Sequence, residues 1–138
     1  MGVELPPNYR PSDDEPFMNE RQREYFRRRL IQWKDDIIRE SKETLHNLAQ
    51  DSVAHADLAD RASSEAERAN ELRARDRQRK LISKIDSALR RIEEGTYGFC
   101  EETGDPITLR RLEARPIATL SLEAQERHER REKVYRDD

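Results

Sequence analysis

The chain has 138 residues, of which 41% are charged and 33% hydrophobic, and its formal net charge is −3. This amount of apolar material excludes a rounded single-core domain of such a length and leaves disorder or long exposed helices. The near balance of acids and bases lacks the strong basic excess of proteins that bind nucleic acid along their whole surface. A single cysteine excludes an internal disulfide framework and indicates a reducing compartment, so we expect a cytoplasmic protein.

The beginning of the sequence has no targeting pattern. No apolar run in the chain approaches the roughly 20 residues that a membrane-spanning helix needs. A signal peptide is not expected either, because no basic region is followed by an apolar one. Residues 1–16 instead contain four prolines and an acidic cluster, which predict a flexible N-terminal segment.

The first helical pattern begins after Asn19, which has Gln22 three residues later, as in a capping box. From there to about Val53, apolar residues recur at spacings of three and four, and the polar Ser41 interrupts the stripe. Such a stripe on a charged background predicts an amphipathic helix. Its apolar positions are Phe26, Leu30, Trp33, Ile37, Leu45 and Leu48.

A second helical pattern follows a short run of small residues at 53–60, which predicts a turn. Ser64 and Glu67 form a possible capping box, and Gly95 is suited to the end of the helix. Its apolar positions are Ala66, Ala69, Leu72, Leu81, Ile82, Ile85, Leu89 and Ile92. The stripe is weak at 73–79, so we expect thin packing there. Two helices of similar length joined by a short loop run antiparallel, because both stripes are then buried.

The remainder of the chain changes character. Gly and Pro mark several turns in residues 97–120, which predict a small irregular module. Ser121 is placed to cap a final helix from Leu122 to about Tyr135.

The sequence therefore predicts an all-α, mainly helical fold. We expect a long antiparallel coiled-coil hairpin, a small irregular globular module and a C-terminal helix. The N-terminal segment occupies 1–16. The first helix and the hairpin occupy 17–95, with a tip near 54–62, and the module with the last helix occupies 96–138.

Several stretches of the sequence follow the pattern of one protein family. They are Phe17–Glu20, Asp57–Ala62, Glu71–Ile82, Tyr97–Gly104, Arg110–Pro116 and Ser121–Ala124. Over about residues 17 to 128 the chain resembles the DksA/TraR family, whose members are bacterial regulators that bind RNA polymerase. The resemblance implies a monomeric transcription regulator of the stringent response, which is not an enzyme, acts without direct DNA binding and enters no membrane.

The family's finger holds zinc with two Cys-x2-Cys pairs separated by seventeen residues. The matching positions here are Cys100, Thr103, Ser121 and Ala124, so one of four cysteines is retained. A structural zinc site needs four thiolate or imidazole ligands, whereas hydroxyls are poor ligands and a methyl group offers none. We therefore predict that this zinc-finger-like module binds no zinc and is held together by apolar packing. The residues available for this cluster are Tyr97, Phe99, Ile107, Leu109, Leu112, Ile117, Leu120 and Leu122.

The hairpin tip is the expected working end. The resemblance implies that the coiled coil enters the secondary channel of RNA polymerase, where acidic tip residues destabilise promoter complexes. Asp57, Asp60 and Ala62 match the family's Asp-x-x-Asp-x-Ala tip. Without the surrounding match, two aspartates in a turn would be interpreted as ordinary solubilising residues.

The second arm and the finger carry the remaining sites that the resemblance implies. Arg77 matches a residue that contacts the channel rim. Leu81, Lys84 and Arg115 match residues that bind guanosine tetraphosphate (ppGpp) at the interface with polymerase. A further family lysine is replaced here by Gln125, which removes one cationic contact.

Two other interpretations remain open from the residues themselves. The arginines of the second arm are compatible with a nucleic-acid-binding module, and the charged hairpin is compatible with a structural coiled-coil adaptor. His46, His55 and His128 are far apart in the sequence and suggest no catalytic set. We expect no cofactor, RNA polymerase as the partner and ppGpp as the effector.

Overall fold

A computed structural model describes the backbone of residues 3–54 and 58–137, and the side-chain surroundings of residues 3–46 and 64–135. Four α-helices lie within these ranges: α1 (Glu20–Ala54), α2 (Leu58–Glu94), α3 (Leu109–Ala114) and α4 (Leu122–Asp137). In the described part of the chain, β-structure is limited to one isolated bridge between Phe99 and Pro106. The predicted mainly helical fold, with two long helices and a C-terminal helix, is confirmed.

None of the helices in the described chain combines the length and the apolar character that a bilayer-spanning segment requires. The chain divides into two compact units. The finger unit consists of Met1–Leu30 with Ser87–Asp138, and the helix pair consists of Ile31–Asp86.

The predicted start of α1 is confirmed, with one difference in the capping box. The Asn19 side chain accepts a hydrogen bond from the Gln22 N–H at 2.9 Å, as expected for an N-cap. The Gln22 side chain returns to Met18, whose N–H donates to it at 2.7 Å, and not to Asn19 itself. Gln22 is fully buried, and its amide also donates to the Ser12 carbonyl at 3.2 Å.

Residues 3–16 follow a defined path beside α1. The Tyr9 hydroxyl donates to Glu15 at 2.8 Å, and the Tyr9 ring meets the Tyr25 ring edge-on at 6.1 Å. Arg28 donates to the carbonyl of Val3 at 3.0 Å. These contacts describe where the segment lies and carry no information on how it moves, so its predicted mobility stays a prediction.

The end of α2 matches the prediction at Gly95. Gly95 adopts a left-handed conformation with φ 81°. Its N–H donates to the Ile92 carbonyl at 3.3 Å, and the Thr96 N–H donates to the Arg91 carbonyl at 2.9 Å. This pair of bonds is a Schellman motif, which satisfies carbonyls left without partners at the end of a helix.

The helix pair is antiparallel. Lys34 forms an ion pair with Asp86 at 2.7 Å, and the Ser41 hydroxyl donates to the Gln78 side chain at 2.6 Å. Within its described side chains, the only buried residues are Ile37 and Ile85. The expectation of thin packing at 73–79 is therefore confirmed, and the thin section continues beyond that range.

Three residues assigned to the apolar stripes, Leu45, Ala66 and Leu72, lie at the surface of the helix pair. Leu45 is 47% exposed and Leu72 is 61% exposed. The spacing of three and four predicted all three to be buried; these predictions were wrong, because none of the described side chains in this section of the pair is buried. Leu48 lies outside the described side chains.

The finger unit contains most of the described core. Its buried apolar residues are Met18, Phe26, Leu30, Ala88, Ile92, Tyr97, Cys100, Ile107, Leu109, Leu112 and Ala124. Four of the eight residues predicted to hold the finger are among them, namely Tyr97, Ile107, Leu109 and Leu112. Leu122 was predicted wrongly, since it is 59% exposed while Ala124 is fully buried. Residues two apart point to nearly opposite sides of a helix, so α4 buries Ala124 and exposes Leu122.

Two glycine substitutions test the turns that end α2 and begin the finger. Gly95→Ala should lower the free energy of unfolding by about 1 kcal/mol, because alanine is strained in the left-handed conformation. Gly98→Ala should lower it further, since φ is +90° there and an added Cβ would lie 3.0 Å from the Met18 side chain. At Gly95 no described atom lies within 4 Å of that position. Urea unfolding measures both values, and equal losses would contradict the close approach of Met18.

Candidate functional site

Two cationic side chains singled out on α2 lie at the surface of the helix pair. Arg77 and Lys84 are exposed, and neither forms an ion pair or a hydrogen bond with its side chain in the described ranges. Lys80, between them in the sequence, pairs with Asp76 at 3.1 Å. Leu81 is half-buried. Arg77 and Lys84 are therefore available to an anionic partner, whereas part of the charge of Lys80 is already compensated.

Arg115 lies in the other unit. It follows α3, and its backbone N–H closes that helix by donating to the Arg111 carbonyl at 2.7 Å. Its side chain is exposed. The three residues assigned to ppGpp thus come from two units, with Leu81 and Lys84 in the helix pair and Arg115 in the finger unit.

The side chains assigned to the tip lie outside the described part of the chain. Asp57 lies outside the described residues. Asp60 and Ala62 belong to the backbone of α2, and their side chains lie outside the described ones. The expected turn at 53–60 is shorter than predicted, because α1 reaches Ala54 and α2 begins at Leu58. The small residues of this run include several alanines, and alanine has the highest helix propensity.

The finger unit gathers the four positions that match zinc ligands. Cys100 is buried and receives hydrogen bonds from the Thr103 side chain and from the backbone of Ser121. The Ser121 hydroxyl caps α4 by accepting from the Ala124 N–H at 3.2 Å. Ala124 itself is fully buried. The fold therefore brings these positions together without the other three cysteines.

These hydrogen bonds change the acidity of Cys100. Burial acts to raise the pKa of the thiol, because it disfavours the charged form. The Thr103 hydroxyl and the backbone of Ser121, Thr103 and Glu102 stabilise the thiolate and outweigh burial. The pKa of Cys100 is lowered from 9.0 to about 6. The thiolate is therefore the prevailing form at neutral pH.

The loops of the finger are joined by backbone hydrogen bonds. The Cys100 N–H donates to the Asp105 carbonyl at 2.8 Å, and the Gly104 N–H donates to the Cys100 carbonyl at 2.8 Å. The Glu101 N–H donates to the Thr119 carbonyl at 2.9 Å, which connects the two halves of the module. A fully formed set of such bonds holds the loops in one conformation.

Side chains add further links across the finger. The buried Tyr97 hydroxyl donates to the Pro116 carbonyl at 2.8 Å. The Arg111 guanidinium donates to the Leu120 carbonyl at 2.9 Å. His128 of α4 lies 2.5 Å from the carboxylate of Glu102, and this contact is an ion pair when the imidazole is protonated.

Comparison with known proteins identifies the family. The family described as the DnaK suppressor protein DksA, N-terminal domain, matches residues 22–92, and the prokaryotic dksA/traR C4-type zinc finger matches residues 95–130. A relative from Caulobacter vibrioides, named RNA polymerase-binding transcription factor DksA, is 70% identical over 131 residues, which cover 95% of this chain and 92% of the relative. The chain belongs to the DksA/TraR family.

More distant members agree with this assignment. The RNA polymerase-binding transcription factor DksA of Escherichia coli K12 is 41% identical over 125 residues, covering 91% of this chain and 83% of the relative. The solved structure of transcription factor DksA2 from Pseudomonas aeruginosa has a TM-score of 0.79 and 44% identity, and covers 85% of this chain and 90% of its own. The resemblance derived from the motifs is confirmed over most of the chain.

The chain departs from the family at the metal site. A C4-type finger supplies four thiolates, whereas this chain offers one thiol, two hydroxyls and the methyl group of Ala124. Among the described residues, no three His, Cys, Asp or Glu side chains converge as a metal-binding group. The donor set present does not fit a structural zinc ion.

Sequence reasoning missed the partners of two finger residues. Thr103 was assigned only as a lost ligand, yet its hydroxyl stabilises the Cys100 thiolate. The retained Cys-x2-Thr spacing was a usable signal, because that turn brings the residues at both ends together. The pairing of His128 with Glu102 had no such signal, because it joins two distant parts of the sequence.

Replacing Cys100 should make stability depend on pH in a defined direction. The folded pKa lies below the unfolded one, so the contribution of the thiolate is fully present above about pH 9 and is lost as the pH falls through about 6. Between these values, the free energy of unfolding of wild type relative to Cys100→Ala should rise by up to about 1.4 kcal/mol per pH unit. Urea unfolding at several pH values measures this difference.

Thr103→Val is the matched control for that experiment. It keeps the thiol and removes the hydroxyl, so the pKa of Cys100 should return toward its ordinary value and the pH dependence should weaken. A difference between wild type and Cys100→Ala that is constant from pH 6 to 9 would contradict the assignment.

Proposed function

We propose that this chain is a transcription factor that binds RNA polymerase directly. The observation that carries the proposal is the 70% identity, over 95% of the chain, to a relative named RNA polymerase-binding transcription factor DksA. The antiparallel helix pair and the exposed cations of α2 support it, because they supply a charged surface for a large partner. We further propose that the protein is not an enzyme and that it acts as a cytoplasmic monomer.

In this proposal the helix pair enters the secondary channel of polymerase and its tip changes the stability of open promoter complexes. Asp57, Asp60 and Ala62 are the tip residues by resemblance to the family. The 35 residues of α1 span about 50 Å, a length that reaches deep into a channel. Carboxylates act strongly in a confined site, where electrostatic interactions are less screened than in open water.

The remaining contacts lie farther from the tip. Arg77 contacts the channel rim, and Leu81, Lys84 and Arg115 bind ppGpp together with polymerase. Lys84 and Arg115 are exposed, and neither side chain has an ion pair within the described part of the chain. This supports the role, since phosphate groups are bound by lysine as a point charge and by arginine as a fork. Gln125 supplies no charge, so the ppGpp response is weaker than with a lysine at that position.

We also propose that the finger module works without zinc. The support is the donor set of the four matching positions and the hydrogen bonds around Cys100. Binding of bare duplex DNA is not part of the proposed activity. A nucleic-acid-binding module would lose affinity for duplex steeply with rising salt, which distinguishes that alternative.

Asp60→Asn should abolish the effect on open complexes while it leaves polymerase binding within about threefold, because the substitution removes a charge and keeps the shape. The lifetime of open complexes at a ribosomal RNA promoter, measured with purified polymerase in the presence of a metal chelator, decides this. Asp35→Asn, which neutralises an exposed carboxylate of α1, is the matched control and should behave as wild type. Loss of activity and binding together would indicate that the tip is only an anchor. No effect of the wild type would favour a structural adaptor.

Arg115→Ala should reduce the enhancement by ppGpp about tenfold or more, because one charge-assisted contact to phosphate is lost. The same promoter assay, titrated with ppGpp, measures the change. Arg110→Ala removes an exposed arginine from α3 and serves as the control. An unchanged ppGpp response of Arg115→Ala would contradict the assignment of this site.

A further inference from the structure

A polar contact occupies the interface of the helix pair. The Ser41 hydroxyl donates to the Gln78 side chain at 2.6 Å, and both residues are half-buried. Ser41 is the position where the apolar stripe of α1 is interrupted. Hydrogen bonds between polar residues at such interface positions specify the alignment of paired helices, at some loss of stability.

Two independent contacts give the helix pair the same alignment. Lys34 meets Asp86, and Ser41 meets Gln78, so an advance of seven residues along α1 corresponds to a retreat of eight along α2. Both contacts therefore describe one antiparallel register. The Lys34–Asp86 pair is about one-third exposed on each side, so solvent weakens its contribution, whereas the Ser41–Gln78 bond lies in the interface.

Apolar packing in this section discriminates poorly between alternative alignments. Beyond Ile37 on α1 and before Ile85 on α2, none of the described side chains of the helix pair is buried. Leu45 and Leu72 are largely exposed. One turn from Gln78, the Arg75 guanidinium has a buried nitrogen without a hydrogen-bond partner in the described part of the chain. Within the described part of this section, the directional contact between Ser41 and Gln78 is therefore the main feature that favours the observed alignment.

We infer that Ser41 and Gln78 are positioning residues, whose hydrogen bond sets the register of the helix pair and thereby the place of the tip. This inference rests on the proposed function, because the tip is the working end only if the pair acts inside polymerase. The bond acts on regulation through position and not through stability. A variant with better apolar packing at this level should consequently be at least as stable and yet less active.

The double variant Ser41→Val/Gln78→Met tests the inference. Gln78→Met keeps side-chain length, Ser41→Val adds one carbon, and together they remove both polar groups, so no half-buried polar group loses its partner and stability is kept or raised. The melting temperature should stay equal or increase. The concentration needed for half of the maximal effect on open-complex lifetime should rise about fivefold, the factor that corresponds to one hydrogen bond. Gln32→Met is the control: it removes only an exposed hydrogen bond from Gln32 to Asp36 on α1 and should leave both values nearly unchanged.

A second variant tests whether the effect comes from the lost hydrogen bond or only from the change in polarity. Ser41→Gln/Gln78→Ser exchanges the two partners and retains the bond, so its activity should return to within about twofold of wild type. Full activity of the Val/Met variant, or no recovery by the exchanged variant, would overturn the inference. A fall in both melting temperature and activity of the Val/Met variant would also overturn it, since that result indicates a structural role alone.

A distance measurement decides the register without any assay of transcription. Spin labels attached to Glu40→Cys and Arg73→Cys, both at exposed positions, report the axial offset between α1 and α2. Cys100 is replaced by serine in every protein compared, so that only the two introduced cysteines are labelled. The Val/Met variant should show a broader distribution, or one shifted by at least about 1.5 Å, the rise of one helical residue. An unchanged distribution would overturn the inference. If wild type leaves promoter complexes unaffected, the proposed function fails, and the distance still tests the register.

Discussion

The contact between Phe26 and Tyr97 connects the first helix of the chain to the finger module, and the finger unit is organised around it. The two rings lie 5.6 Å apart, and both residues are almost completely buried. Burial of each large apolar side chain contributes about 2 kcal/mol, which is a large share of the stability of a chain that is 41% charged. Tyr97 also donates to the Pro116 carbonyl, so the same residue fixes the far loop of the module.

This core contributes a larger share of the finger's stability, because the chain lacks the ligands of a C4-type finger. A structural metal contributes much of the folding energy of small fingers, whereas a single hydrogen bond contributes only about 1 kcal/mol. Here the loops are held by backbone hydrogen bonds around Cys100 and are packed against helices α1 and α2. The helix pair has the opposite balance, since only Ile37 and Ile85 are buried among its described side chains, and we infer that its alignment depends on directional contacts such as that of Ser41 with Gln78.

The sequence was sufficient to predict the features that depend on local chemistry. Asn19 and Gly95 mark helix ends because side-chain capping and left-handed backbone are properties of single residues. The start of α2 was misplaced because runs of small residues are compatible with both turn and helix. The surroundings of Leu122 and the pairing of Glu102 with His128 depend on how distant segments pack, and periodicity carries no information on that. The assignment of the tip and ppGpp residues came from family resemblance and not from any local signal.

The finger unit is discontinuous, because Met1–Leu30 belongs with Ser87–Asp138 while the helix pair is one uninterrupted segment between them. During synthesis, the ribosome therefore makes the whole helix pair before Tyr97, the buried partner of Phe26, emerges. Chains grow at about 5–20 residues per second, so the N-terminal part of the core stays exposed for several seconds. The nascent chain thus has a built-in order of synthesis, in which the core of the finger unit can close only after the inserted segment has been made.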